Sequence, residues 1–104
     1  WQVLTKIRQA KIEAMQSGKD IRLLFDTSGN RVLYRGKSGK TEIISFPKGI
    51  KLYTTNFPSN ILYFNSAGTP SCGGTVTIRS GGERRYIIVT PVTGRVRFSE
   101  KPPS

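Results

Sequence analysis

Val3-Leu4-Thr5-Lys6-Ile7-Arg8-Gln9-Ala10-Lys11-Ile12-Glu13-Ala14-Met15-Gln16-Ser17-Gly18 opens the chain with apolar residues three and four positions apart. Val3, Leu4, Ile7, Ala10, Ala14 and Met15 fall on one stripe when wound at 3.6 residues per turn, while Lys6, Lys11 and Glu13 fall off it. The spacing predicts an amphipathic helix over residues 1–17. Ser17-Gly18 ends it near Gln16, since a residue without a Cβ adopts the left-handed stop at no steric cost. The stripe is already under way at Trp1, which stands where a Met would begin a complete chain, so the helix reads as the continuation of an upstream segment.

Beyond Gly18 the apolar period changes from near four to two, the mark of strands. Ile21 to Phe25 ends at the turn cluster Asp26-Thr27-Ser28-Gly29-Asn30, and Arg31 to Arg35 returns from it. Gly36 to Lys40 turns the chain into Thr41 to Phe46, and Pro47-Lys48-Gly49 separates this from Ile50 to Thr54. Ile61 to Phe64 follows a Pro-containing connection. Residues 65–74 read as a surface loop, and Gly81-Gly82 joins Thr75–Arg79 to Arg84–Thr90 as a two-residue hairpin. A last turn at Pro91–Gly94 leads to Arg95-Val96-Arg97-Phe98. The reading is α+β: one helix packed on one or two antiparallel sheets of about seven short strands. The 104 residues suffice for a single domain with one core, divided into the helix at 1–17, a β region at 21–98 and a tail at 99–104.

The chemistry for catalysis is missing. There is no histidine, one cysteine and six carboxylates, so acid–base, nucleophilic and metal-assisted routes lack their residues, and neither a metal nor a cofactor is expected. Cys72 reads as a small, partly buried filler. Glu13, Asp20, Asp26, Glu42, Glu83 and Glu100 each stand singly beside basic residues or turns, as solvated partners or turn formers do. Gly36-Lys37-Ser38-Gly39-Lys40-Thr41 imitates the end of a phosphate-binding loop, but Tyr34 occupies the position of the required first glycine and Thr41 opens a strand instead of a helix. It reads as a basic turn.

Seventeen Lys and Arg against six Asp and Glu give a net charge of +11, a field that attracts polyanions across a Debye length. Within Arg95-Val96-Arg97-Phe98 the pleat sends both arginines to one face, about 7 Å apart, and Val96 and Phe98 to the other. A two-residue turn at Gly81-Gly82 places Arg79 opposite Arg84, where like charges repel unless an anion joins them, and sends Glu83 to the opposite face. These arginines are either the solvated side of a half-buried sheet or a polyanion site. Phe25, Phe46, Phe64 and Phe98 continue alternating apolar faces and are expected in the core. Tyr53, Phe57, Tyr63 and Tyr86 suit either core packing or base stacking.

The order of helix, glycine stop, strand meander, Gly73-Gly74-Thr75-Val76-Thr77-Ile78, Arg85-Tyr86-Ile87-Ile88-Val89 and Gly94-Arg95-Val96-Arg97 resembles the GspH/FimT family of minor pilins and type II secretion pseudopilins. The resemblance spans nearly the whole chain. It implies a pilin-like head domain whose helix continues from an apolar segment that serves membrane residence and filament packing. It implies other pilin or pseudopilin subunits as partners, the inner or cytoplasmic membrane through that segment, and a place in the cell envelope before assembly and in an extracellular filament after it. In FimT-like members of transformation pili the Gly-Arg-x-Arg region is associated with DNA binding. By resemblance that role falls on Gly94, Arg95 and Arg97, with Arg79 and Arg84 as additional cations. A secretion pseudopilin without a nucleic-acid role and a free OB-like nucleic-acid-binding module are the alternatives.

Overall fold

The apolar stripe forms helix α1 (Gln2–Ser17) in the computed structural model, which describes residues 2–102. Trp1, expected in the helix, and the end of the tail at 103–104 lie outside the described residues. The helix buries Val3, Ile7, Ala10 and Ala14. The two alanines keep that face narrow, so the backbone approaches the strands closely, and Val3 and Ile7 each gain about 1.5–3 kcal/mol from burial. Gly18 stops the helix at φ +70°, donating its N–H to the Ala14 carbonyl at 3.0 Å. Met15, assigned to the stripe, is instead 54% exposed: it lies one step around the helix from Ala14, and its sulfur rests against the turn at Gly68.

Among the described residues eight strands follow, one for each run named above: β1 (Ile21–Asp26), β2 (Arg31–Arg35), β3 (Thr41–Ser45), β4 (Ile50–Thr55), β5 (Ile61–Phe64), β6 (Gly74–Ser80), β7 (Glu83–Val89) and β8 (Val96–Ser99). They make two four-stranded antiparallel sheets, ordered β3-β2-β1-β5 and β4-β6-β7-β8. The turn imitating a phosphate loop connects β2 to β3, with Thr41 in a strand. Alternation sends Ile21, Leu23, Phe25, Val32, Tyr34, Ile44, Leu62 and Phe64 of the first sheet into one core with Leu52, Val76, Ile78, Ile87, Val89 and Val96 of the second. Phe57 also enters the core and stacks on Phe25, with ring centroids 5.7 Å apart. Cys72 packs against the core edge, half-buried.

Polar side chains clip these layers together. Arg31 donates to the Asp26 carboxylate at 2.8 Å across the β1–β2 hairpin, and the Gly29 N–H donates to the same carboxylate at 3.0 Å. These bonds, the Arg31 one foremost, hold the Asp26 carboxyl below its ordinary range. Asn30 joins the two sheets: its amide donates to the Ile50 carbonyl at 3.0 Å and its side-chain oxygen accepts from the Leu52 N–H at 2.6 Å. Arg8 of α1 donates to the Val96 carbonyl at 3.1 Å, and Lys11 to the Thr93 carbonyl at 2.7 Å. The helix is thus tied to the segment that carries the terminal arginines.

Phe98 departs from its expected core position. It pairs with Ile87 on the inward face, yet it is 44% exposed. It belongs to the edge strand β8, and with Leu4, Ile50 and Ile78 it lines an open groove beside the helix N-terminus.

Candidate nucleic-acid interface

The second sheet has an inward face defined by Val76, Ile78, Ile87 and Val89, so the residues between them face outward. The β6–β7 register places Arg79 opposite Arg84, Thr77 opposite Tyr86 and Thr75 opposite Ile88. The β7–β8 register places Arg97 opposite Ile88 and Ser99 opposite Tyr86. Arg97 is therefore on the outward face with Arg79 and Arg84. Arg95 precedes β8, and its carbonyl accepts from the Thr90 N–H at 2.8 Å, which continues the ladder by one pair and keeps Arg95 on the side of Arg97. The four sequence-selected arginines occupy one face, in two groups about 13 Å apart along β7, the rise of the four residues from Arg84 to Ile88.

The other edge strand adds to the first group. Lys51 of β4 is opposite Arg79, so Lys51, Arg79 and Arg84 form a row across three strands. Beyond Lys51 the register slips between Leu52 and Thr54, leaving Tyr53 as an extra residue. Alternation from Lys51 through the inward Leu52 turns Tyr53 outward, where it is 41% exposed. The Arg79 guanidinium lies 4.3 Å from the Tyr53 ring centroid and that of Arg84 lies 5.0 Å away. Sequence reading selected neither Lys51 nor a role for Tyr53 in holding the arginines, because only the pairing of β4 with β6 brings them beside Arg79.

Among the described residues no carboxylate pairs with a cation of this face. Glu83 alternates to the inward side, where it accepts from Arg85 at 2.6 Å, and Glu100 lies 4.0 Å from the same arginine. Among the described residues none of Lys51, Arg79, Arg84, Arg95 and Arg97 has a carboxylate partner. Gly94 is buried, φ +68°, and its N–H donates to the Thr90 carbonyl at 3.0 Å. Its place is under the turn that presents Arg95. Of the tyrosines suited to stacking, Tyr86 is half-buried between the two cationic groups, whereas Tyr63 lies on the first sheet, away from them.

The family model described as Type II transport protein GspH matches residues 2–94. The chain belongs to the GspH family. Two structures of the minor pseudopilin EpsH from the type II secretion system of Vibrio cholerae share its fold. One has TM-score 0.72 at 18% identity, covering 93% of this chain and 90% of that one. The other has TM-score 0.70 at 15% identity, covering 99% and 92%. The type IV minor pilin FimU of Pseudomonas aeruginosa is similar at TM-score 0.68 and 17% identity, over 97% of this chain and 84% of that one. No curated protein sequence matches the chain. Its family is thus that of a type II transport protein, and its fold is the one that minor pseudopilins and a type IV minor pilin share. A helix packed on two separate sheets is the pilin-like α+β architecture, which sets aside the free OB-like module. No helix among the described residues is long and apolar enough to cross a membrane.

Proposed function

We propose that this GspH-family head binds DNA without sequence preference through the outward face of its second sheet and serves DNA uptake by a type IV pilus-like filament. The observation that carries the proposal is the convergence of Arg79, Arg84, Arg95 and Arg97 on one face with no carboxylate partner among the described residues. Guanidinium forks donate two hydrogen bonds to one phosphate, so a row of them follows a phosphate backbone while ignoring the bases. An apolar segment upstream of Trp1 would hold the subunit in the inner or cytoplasmic membrane before assembly, and α1 would continue it into the filament that carries the head outside the cell.

A fluorescence titration of a labelled mixed-sequence duplex at low salt tests this. Replacing Arg95 and Arg97 together by Ala should weaken binding about ten-fold or more, equally for unrelated sequences. Equal affinity of the folded double variant and the parent contradicts the proposal. The second reading, a secretion pseudopilin whose cationic face meets an acidic partner subunit, is favoured by the likeness to EpsH. It is supported if the parent binds no DNA.

A further inference from the structure

Arg79 and Arg84 stand directly opposite on adjacent strands, a position where like charges destabilise a hairpin. Lys51 stands on the other side of Arg79. Three cations therefore fill one row about 10 Å wide, at a strand spacing of about 4.8 Å. A carboxylate at Thr77, on the same outward face, would neutralise the row within the protein, yet Glu83 of the same hairpin is turned inward to Arg85. What stands against the row is Tyr53, with both guanidiniums over its ring at 4.3 and 5.0 Å. Tyr53 stands two residues beyond Lys51 and so on the same outward face, and the register slip between Leu52 and Thr54 leaves it without a partner residue on β6. Because the guanidiniums already occupy the ring, Tyr53 is a poor platform for a nucleobase and a good support for two forks.

We infer that Lys51, Arg79 and Arg84 form a second phosphate-binding subsite, in which Tyr53 is a positioning residue that holds the two guanidiniums side by side for one bridging phosphate. This rests on the DNA-binding reading and deepens it: the backbone is gripped at the Arg95/Arg97 end and again about 13 Å along the strand at the bulge. The ligand class is a phosphodiester chain read through its charges, with the bases turned away from the sheet.

The test is duplex titration at several salt concentrations with the parent and with Tyr53→Leu, Tyr53→Phe and Lys51→Ala, each checked by thermal melting. Tyr53→Leu, which keeps bulk but removes the ring, should weaken binding about five-fold, and Tyr53→Phe should recover most of that loss because the ring face and not the hydroxyl supports the cations. Lys51→Ala should reduce the log–log salt slope by about one. Parent-like binding by Tyr53→Leu and Lys51→Ala, alongside weakened binding by the Arg95→Ala/Arg97→Ala variant, overturns the subsite and leaves the DNA-binding reading standing. A loss in Tyr53→Phe equal to that in Tyr53→Leu overturns the positioning role. A parent that binds no duplex overturns both readings.

Discussion

A Cβ at Gly94 would lie 2.8 Å from the carbonyl oxygen of Gly68, with Phe64 and Pro70 3.2 and 3.3 Å away. The loop at 65–70 and the turn at 91–94 therefore meet through a gap that only glycine leaves open, and the position also requires φ +68°. The first residue of the Gly-Arg-x-Arg segment thus fixes the turn from which Arg95 emerges. Gly94→Ala should lower stability by about 1–3 kcal/mol through the left-handed backbone and the close approach together. Chemical denaturation of the variant checks this, and an unchanged midpoint would show that the two turns separate freely.

The helix makes a stronger demand. Ile7 is fully buried between α1 and the sheets, so Ile7→Asp places an unpaired carboxylate in the core and should cost about 3–5 kcal/mol. Gln16→Ala, on the exposed side of the last turn, should change stability by less than about 0.5 kcal/mol. Lys11 is unsuitable as the control, since it holds the Thr93 carbonyl. Thermal melts of the two variants decide the matter.

Tyr34 carries a buried hydroxyl beside the Glu13 carboxylate that makes no hydrogen bond of good geometry among the described residues. Burial, then the charge of Glu13 and the hydroxyl's approach to its carboxylate, then the charge of Glu42, push its phenol well above the ordinary range. A tyrosine raised in the folded state gives stability that is fully present below its unfolded pKa near 10 and is lost as the pH rises beyond it. Tyr34→Phe removes an unsatisfied group without changing the ring, so at pH 7 it should be as stable as the parent or slightly more stable. Its advantage should widen above about pH 10. Melts at neutral and alkaline pH test both parts, and a marked loss of stability at pH 7 would mean that the hydroxyl is satisfied.

Asp26 titrates in the opposite sense. Its carboxyl is lowered in the fold, so its contribution is present above the unfolded pKa near 3.8 and disappears as pH falls through the lower folded value. Asp26→Asn should destabilise the β1–β2 hairpin at pH 7 and converge with the parent in strong acid. Urea midpoints across pH 2 to 7 would reveal a constant difference if the Arg31 pair were irrelevant.

Much of this architecture was legible because periodicity is a physical constraint. Val3, Ile7, Ala10 and Ala14 share a helix face whatever they pack on, and a two-residue loop at Gly81-Gly82 puts Arg79 opposite Arg84. Phe98 shows the limit: alternation gave its face correctly, but an edge strand has little above it to cover the ring. Met15 fails for a related reason, since a stripe drawn from sequence is wider than the strip the sheets cover. The role of Tyr53 was opaque because alternation gives its outward face but not its neighbours, and Arg79 and Arg84 come beside it only through the pairing of β4 with β6. Asn30 looked like turn chemistry alone, although its side chain also bonds the second sheet.

The central claim, that Arg95 and Arg97 meet DNA phosphates, is tested most directly by the salt dependence of duplex binding. Each phosphate that a variant no longer neutralises should reduce the slope of log K against log salt by about 0.9, and the reduction should be the same for unrelated sequences. The account predicts that Arg95→Ala and Arg97→Ala each reduce the slope by about one, that the double variant reduces it by about two, and that Arg-to-Lys variants fall between parent and Ala. An unchanged slope in the folded double Ala variant would contradict it.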